Sequence, residues 1–510
     1  MLTLSIQRDP AADDLGYEVG TGLGARSTAS TLVSATNSAD GSASVVYYSN
    51  IPSRAERQES IRPRVTLNPK IVKHSIPLAL LCSVIATASA ELKPEWPQWR
   101  GPLGTGSAPD AKPPIEWSEE KNVRWKTPLP GSGHSTPIMA GDQIFLTIAE
   151  PVGEKLPPRF SGVPGAHDNL PVTQRHRFAV LSIDRNSGKI LWDKTVAETL
   201  PHEGGHESGS LASASPVTDG ERVIAFFGSR GLHCLDLSGE TLWKLDLGKM
   251  TSKHGHGEGS SPALHGNTVV VNWDHQGQSF AAAFDSRTGV QRWKVKRDES
   301  TSWSSPIIVE HGGRAQAIIS ATTRIRSYDL EDGKLIWGCG GLSDNVVASP
   351  VYADGIVYCG SSYNTKAMLA INLDGATGDL TDSGDNIIWS RIKRTPYVPS
   401  PLLYGEALFF LGHYQPILTR LTAKTGEEPT GPFRLFGLRN IYASPVAADG
   451  RIYLADLEGS TLVLSADETP KTLARNQLDD SFAASPVLVG GEIFLRGRRF
   501  LYCINGERAP

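Results

Sequence analysis

Two segments of the chain contain histidine and glutamate side chains that could bind a ligand. One segment contains His206-Glu207, and the other reads His254-Gly-His256-Gly-Glu258. Imidazole together with carboxylate ligates zinc, copper, nickel or iron, whereas calcium prefers a site with more oxygen ligands. Neither segment matches a known zinc motif, and the glycines make the second one flexible. His206, His254, His256 and Glu258 are therefore candidate metal ligands, with hydrogen bonding to loop backbone as the alternative role.

The elements that position these residues repeat along the chain. A Ser-Pro or Thr-Pro dipeptide followed by an apolar segment occurs with its proline at positions 137, 216, 262, 306, 350, 401, 445 and 486. Most successive anchors lie about 41 to 51 residues apart, which is the span of one four-stranded propeller blade. The wider interval after position 137 contains an insertion at about 151–177. Eight anchors predict an all-β fold, an eight-bladed β-propeller of four-stranded antiparallel blades.

A turn and a tryptophan recur at a fixed distance within these units. In the clearest copy, Asp285 begins a turn, Gly289 ends it and Trp293 follows four residues later. The aspartate can hydrogen-bond the turn backbone, and the glycine can adopt a left-handed conformation that other residues resist. A large ring at one place in each blade can pack against the neighbouring blade. The structural tryptophans predicted in this way are Trp125, Trp192, Trp243, Trp293, Trp337 and Trp389.

The pattern Ala-x-Asp-x-x-Thr-Gly-x-x-x-Trp at residues 283–293 resembles the tryptophan-docking repeat of the pyrroloquinoline-quinone (PQQ) family of propellers. That family includes quinoprotein alcohol dehydrogenases and the outer-membrane assembly lipoprotein BamB. The resemblance extends from Trp96 to the C-terminus, and the opening Trp96-Pro-Gln-Trp-Arg-Gly-Pro resembles PQQ-repeat proteins of planctomycete bacteria. The resemblance implies a propeller with one of two roles, an enzyme or a binding module.

The last repeat ends one strand short of a blade, after Phe500-Leu-Tyr-Cys-Ile504. The segment Val123-Arg-Trp125-Lys-Thr-Pro-Leu129 matches the tryptophan strand of the other units, but it precedes the first anchor. We therefore expect the N-terminal strand near Trp125 to complete the last blade and close the ring. Closure removes sheet edges that would otherwise pair with other chains.

Residues just before each anchor are expected to line one mouth of the central channel, because the innermost strand of a blade starts there. The candidate ligand-binding residues at this mouth are His134, His206, Glu207, His254, His256, Glu258, Trp303, Tyr397, Tyr442 and Phe482. Ionisable groups on one side and aromatic rings on the other favour a small molecule or a glycan as ligand. The insertion, which carries His167 and Asp168, is either a binding loop at this mouth or a solvated segment. No residue is assigned a catalytic role.

The first ninety residues differ in composition from the repeats. Residues 1–69 are rich in Ala, Ser, Thr, Asp and Arg without a hydrophobic period, and we expect a disordered or mis-annotated extension. Residues 70–90 combine two lysines, a short apolar core and a small-residue cleavage site, which is typical of a signal peptide rather than a transmembrane helix. The predicted mature protein, residues 91–510, has no transmembrane segment.

Four cysteines follow the predicted signal peptide. Cys234 and Cys503 occupy the same position in their repeats, which favours buried side chains over a bridge. Cys339 and Cys359 could form a disulfide in an exported protein.

Composition and missing motifs narrow the function. A formal net charge of −4 argues against nucleic acid as a partner. No kinase motif is present, so kinase activity is rejected. For an enzyme, the resemblance implies a quinone stacked against two adjacent cysteines beside a divalent metal, but the sequence has no Cys-Cys pair.

The favoured interpretation is therefore an exported, non-catalytic binding or scaffold module that resembles BamB. We expect a periplasmic or extracellular monomer that needs no cofactor and binds envelope proteins, peptides or polysaccharide. The alternative is a quinoprotein dehydrogenase-like enzyme that binds PQQ and a divalent metal.

Overall fold

The computed structural model describes residues 95–412 and 415–506, together with four strands between residues 4 and 48. Contacts divide the chain into two units, Met1–Ser89 and Ala90–Pro510. The strands of the first unit form one antiparallel sheet in chain order: Leu4–Arg8, Gly16–Thr21, Leu32–Asn37 and Ala43–Tyr48. The sequence pattern predicts no paired strands there, because such short segments show no sustained period. The predicted signal peptide at 70–90 lies outside the described residues, so its boundaries stay predictions.

The second unit contains the eight antiparallel blades that the anchors predict. Blade 1 consists of Ile138–Ala140, Gln143–Val152, Arg175–Asp184 and Ile190–Thr199. Blade 2 consists of Val217–Thr218, Arg222–Phe226, Leu232–Asp236 and Thr241–Leu245. Blade 3 consists of Ala263–His265, Thr268–Trp273, Ser279–Asp285 and Gln291–Arg297. Blade 4 consists of Ile307–His311, Arg314–Ile319, Ile325–Asp329 and Leu335–Cys339, with Gly378–Asp379 paired in parallel to the last of these.

The remaining blades follow the same order. Blade 5 consists of Val351–Ala353, Ile356–Ser362, Lys366–Asn372 and Ile387–Arg391. Blade 6 consists of Leu402–Tyr404, Ala407–Leu411, Ile417–Thr422 and Phe433–Arg434. Blade 7 consists of Val446–Ala448, Arg451–Ala455, Ser460–Ser465 and Thr472–Gln477. Blade 8 consists of Val487–Val489, Glu492–Arg496, Phe500–Asn505 and Val123–Pro128. Short 3₁₀ turns include Gly228–Arg230 and Lys253–Gly255, and no helix in the described part of the chain could span a bilayer.

The N-terminal strand closes the ring, as the position of Trp125 predicts. Val123–Pro128 pairs antiparallel with Phe500–Asn505, and Trp125 stands opposite Cys503. The first and last parts of the propeller therefore share one blade. The four cysteines of the propeller are buried and free, including Cys339 and Cys359.

Five of the six predicted tryptophans join their blade to the next one. The indole N–H of Trp192 donates to the carbonyl oxygen of Leu237 at 3.0 Å, and Trp125, Trp243, Trp293 and Trp389 make the equivalent bond. A Cβ atom on Gly239 of blade 2, where φ is +89°, would lie only 2.8 Å from the Trp192 ring. The repeat glycine is thus required both by its turn and by the ring that packs on it. Trp337 differs, because its indole donates to Gln316 and its strand pairs with Gly378–Asp379.

A second connection between blades runs around the central channel. The Ser or Thr of each anchor accepts the backbone N–H of the corresponding residue in the preceding blade at 2.8 to 3.1 Å. These eight hydrogen bonds form a closed circle, the anchor ring, through Thr136, Ser215, Ser261, Ser305, Ser349, Ser400, Ser444 and Ser485. The anchor hydroxyl therefore satisfies a backbone donor that would otherwise be buried without a partner.

One end of the channel is covered by residues 96–108, which we call the plug segment. Its backbone carbonyls accept N–H groups of Met139 in blade 1, of Thr218 in blade 2 and of Leu403 in blade 6. Its end at residues 106–108 exchanges two further hydrogen bonds with Ala447 of blade 7. Blades 2 and 6 face each other across an eight-membered ring, so the plug segment spans the channel.

Candidate functional site

The central channel holds a cavity of about 450 Å³. Its wall is built from the segments that precede the first strands of the blades, and Trp99 of the plug segment lines it as well. Trp99, like Ser261 and Ser305, also lines a second cavity of about 30 Å³, which the plug residues Gln98, Arg100 and Gly104 border too. The larger cavity is therefore a cup, with the plug segment as its floor and the predicted channel mouth as its rim.

Seven of the ten residues predicted at the mouth line the cup. They are His134, His206, His256, Glu258, Trp303, Tyr397 and Tyr442. The His254 ring contacts that of His256, with a centroid distance of 5.4 Å. Phe482 is fully buried in the core, where its ring meets the edge of Tyr502. Glu207 is exposed and lies outside the cup wall.

The insertion of blade 1 folds back over the mouths of blades 2 and 3. The side-chain amide of Asn169 donates to the carbonyl oxygen of His254 at 2.7 Å, and the Leu170 N–H donates to Gly205 at 3.0 Å. These contacts bring His167 and Asp168 into the cup wall. The insertion is therefore part of the mouth, which favours the binding-loop interpretation of the sequence over a solvated segment.

Four imidazoles from three blades pack together at the rim. The centroid of the His167 ring lies 5.0 Å from that of His254 and 4.8 Å from that of His256. The rings of His206 and His256 are 4.7 Å apart. This histidine cluster forms one side of the cup.

Burial keeps several of these imidazoles uncharged at neutral pH. Desolvation lowers the pKa of His256 to about 4, and the neighbouring His206 and His167 add to the effect. Desolvation likewise lowers the pKa of His134 to about 4, with Arg496 nearby. The pKa of His254 is lowered for the same main reason. A neutral ring offers one donor and one acceptor, so His134, His254 and His256 provide hydrogen bonds rather than positive charge.

The carboxylate of Glu258 is bound by protein groups that would compete with a metal ion. Its carboxylate accepts the Ser229 N–H at 2.8 Å, the Ser229 hydroxyl and an Arg230 Nη1–H at 3.0 Å. The Arg230 guanidinium therefore balances its charge. Among the described residues, no group of three or more His, Cys, Asp or Glu side chains is arranged to hold a metal ion.

Aromatic rings form the opposite side of the cup. The rings of Tyr363 and Tyr397 are stacked at a centroid distance of 6.2 Å and an angle of 14°. The Trp303 indole N–H donates to the carbonyl oxygen of Gly257 at 2.8 Å, which fixes the ring at the boundary with the histidine cluster. Tyr442 continues this aromatic side toward blade 8.

The rest of the wall is polar but carries little charge. Hydroxyl groups come from Thr136, Ser208, Ser210, Ser213, Ser215, Ser261, Ser305 and Ser485. Among the described residues that line the cup, none is lysine or arginine, and the carboxylates are Asp168 and Glu258. Asn345, which is 5 % exposed, also lines the cup, and its Oδ1 accepts no hydrogen bond from the protein.

His206 and Ser208 form a hydrogen bond of 2.8 Å between Nδ1 and Oγ. The same Nδ1 accepts the backbone N–H of Ser208 at 3.1 Å, so the contact is local to this turn and orients the ring. A catalytic serine and base instead need a third group that orients the base toward its substrate. The pair therefore positions the imidazole in the wall.

Sequence reasoning missed several residues of the cup. Trp99 lies in the motif that opens the repeat region, but sequence gives no sign that it crosses the channel. Asn345 lies just before the anchor at Pro350 but was not selected, and Tyr363 lies outside the anchor pattern because it follows the second strand of blade 5. Of these residues, His167 and Asp168 were the ones that the sequence indicated, because they belong to a polar insertion expected on the same face as the channel mouth.

Comparison with known proteins supports the architecture. A family model described as outer membrane protein assembly factor BamB matches residues 176–430, which is half of the chain. The quinohemoprotein alcohol dehydrogenase from Comamonas testosteroni has a TM-score of 0.57 and 9% identity, over 83% of this chain and 82% of that one. A europium-containing methanol dehydrogenase has a TM-score of 0.53 and 10% identity, over 80% and 89%. BamB from Moraxella catarrhalis has a TM-score of 0.47 and 12% identity, over 70% and 98%. No curated protein matches the chain in sequence.

Proposed function

The chain belongs to the PQQ-repeat family of the outer membrane protein assembly factor BamB, and from this membership we propose that it is an exported, non-catalytic module that binds a partner of the cell envelope in its cup. The observation that carries the proposal is the closed floor. Because Trp99 and the plug segment cover one end of the channel, the propeller offers a deep recess that opens at the other end. Ligand sites in proteins are recesses of this kind, largely formed before the ligand arrives.

Rigidity supports a binding role for the cup. The anchor ring fixes the wall residues just before each blade, and the indoles of five tryptophans fix their blades against the next. A preformed wall lowers the entropy cost of binding, since few side chains need to be ordered.

The donor set of the cup does not fit PQQ. This quinone carries three carboxylates, and such groups are bound in proteins by arginine and lysine. The described wall has neither, its most buried imidazoles are neutral at pH 7, and Asp168 adds negative charge. The sequence also lacks the adjacent cysteines of the quinoprotein dehydrogenases. We therefore derive no redox step for this protein.

The proposal is tested by purifying the tagged full-length protein from the envelope fraction of its native organism. We compare the parent protein with Tyr363→Ala, which changes the cup, and with Leu335→Ala, which removes an exposed side chain from the outer strand of blade 4. The expected result is an envelope component that crosslinks to the parent and to Leu335→Ala but is lost from Tyr363→Ala. Recovery of the protein from the cytoplasm, the same crosslinks in all three proteins, or stoichiometric PQQ in the pure protein would contradict the proposal.

A further inference from the structure

We infer that the ligand of the cup is a short, uncharged oligosaccharide, an inference that rests on the proposed binding role of this cavity. Its volume of about 450 Å³ lies within the roughly 300–1,000 Å³ of small-ligand pockets. Three properties of the wall carry the inference: flat aromatic faces, a dense set of neutral hydrogen-bonding groups, and the lack of a cationic side chain among the described lining residues.

The aromatic side matches the apolar faces of sugar rings. A pyranose presents C–H groups on its flat faces, and these pack on aromatic rings, whose faces carry partial negative charge. Trp303 and the stacked pair of Tyr363 and Tyr397 stand along the wall, and Trp99 lies at the floor. A chain of sugar rings could therefore run from the exposed rim at Tyr363 down to Trp99. Tyr363 is 41 % exposed, as expected for a ring at the entrance.

The opposite side matches the hydroxyl groups of a sugar. Each serine hydroxyl and each neutral imidazole can both donate and accept, which is also true of sugar hydroxyls. Ser208, Ser210 and Ser213 line the cup on the same side as His206 and His256, and the Ser208 hydroxyl is hydrogen-bonded to His206. Asp168, in the loop that covers this side, offers two acceptor oxygens.

Asn345 gives an independent sign of a ligand. Its side chain lines the cup at 5 % exposure, while Oδ1 accepts no hydrogen bond from the protein. Buried polar atoms almost always have a partner, so an unsatisfied one at a cavity calls for an external donor. The residue also has a φ of +56°, a conformation that costs energy for a residue with a side chain and that Asn tolerates better than most residues. A sugar hydroxyl would supply the missing donor.

Charge and shape distinguish a neutral sugar from other ligands. The described lining residues include no lysine or arginine, so an acidic sugar or a nucleotide would meet the Asp168 carboxylate without a cation in the wall. At the rim, the Lys253 ammonium lies 5.9 Å from the centroid of the Tyr363 ring, but it is paired with Asp344 at 3.6 Å. A peptide would need apolar recesses for its side chains, but the aliphatic side chains of the described wall are Val347, Val398 and Ala483. Aromatic faces and hydroxyls dominate instead, which favours the sugar.

The test is direct binding to the purified full-length protein. An array of neutral di- and trisaccharides, including cellobiose, maltose and N,N′-diacetylchitobiose, is screened, and its best member is titrated by calorimetry and tryptophan fluorescence. We expect binding of a neutral saccharide with a change in tryptophan emission, because Trp99 and Trp303 line the cup. Digalacturonate and an acetylated, amidated trialanine serve as acidic and peptide probes, and we expect neither to bind.

Variants separate a role in binding from a role in folding. Tyr363→Ala removes a half-exposed ring, and Asn345→Gly removes the amide while keeping a residue that accepts a positive φ. Each is expected to weaken saccharide binding at least tenfold without changing the unfolding midpoint. Phe436→Ala is the matched control, since this ring is 73 % exposed and lies outside the cup wall, and it should bind as the parent does.

The inference is overturned if no neutral saccharide of the array binds, if digalacturonate or the peptide binds more tightly, or if Asn345→Gly and Tyr363→Ala bind the saccharide as well as the parent. Failure of saccharide binding together with a Tyr363-dependent envelope crosslink removes the sugar and keeps the proposed function. Saccharide binding by a protein found in the cytoplasm removes the proposed envelope role and keeps the sugar.

Discussion

Replacing Ser400 by alanine is expected to destabilise the propeller by about 1–3 kcal/mol. Ser400 is fully buried, and its hydroxyl accepts the backbone N–H of Ser349 at 2.8 Å as one member of the anchor ring. Alanine leaves this N–H without a partner, and an unsatisfied buried donor costs the desolvation penalty of the group. The loss concerns one hydrogen bond out of eight, so the ring should weaken without opening.

The measurement is equilibrium unfolding in urea, with amide hydrogen exchange at Ser349 as a local readout. Ser286→Ala is the matched control, because Ser286 is also fully buried and its hydroxyl has no hydrogen-bond partner in the protein. We expect the control to lose much less stability than Ser400→Ala, and only the latter to speed exchange at Ser349. Equal losses in the two variants, or unchanged exchange at Ser349, would refute a stabilising role of the anchor ring.

Further predictions concern the blade contacts, the histidines and ring closure. Gly239→Ala should destabilise the protein by roughly 2 kcal/mol or more, since a Cβ would meet the Trp192 ring at 2.8 Å. Gly450→Ala, with a φ of +72° and open space around it, should cost only the backbone strain, and urea midpoints would compare the two. The pKa values of His134 and His256 fall from 6.5 in a model peptide to about 4 in the folded protein. The unfolded chain therefore takes up protons first as the pH falls, so the stability that these two histidines contribute should be lost between pH 6.5 and 4. Replacing both histidines by glutamine should flatten this dependence of stability on pH. Urea midpoints that vary with pH as in the parent protein would contradict the lowered pKa values. Deletion of the N-terminal strand of blade 8 exposes a sheet edge, and light scattering should detect aggregation.

The architecture was predictable because its signals are local and repeated. Each anchor, turn and tryptophan obeys the same short-range geometry, so a single copy such as Asp285–Trp293 identifies the unit. Closure through Trp125 was also predictable, since an orphan copy of the pattern stood before the first anchor and a strand was missing after the last one.

The cup was predictable only in outline, because position in a repeat does not determine where a side chain turns. Phe482 precedes its anchor as Tyr442 does, yet it packs into the core, while Tyr442 lines the cup. Arg496 alternates with apolar residues as an exposed residue would, but it is buried and donates to backbone oxygens of Ser135 and Thr147. Such choices depend on contacts between blades that are distant in sequence.

Closure of the ring by its two ends also bears on when the protein can fold. The strand Val123–Pro128 is made before the other seven blades, but its partner Phe500–Asn505 is made only after them. Until both are present, blade 8 is incomplete and the plug segment has no finished channel to cover. Folding that depends on contacts so distant in sequence is slow. A chain of this design would keep one blade unfinished, and its ring open, until the strand Phe500–Asn505 had been made.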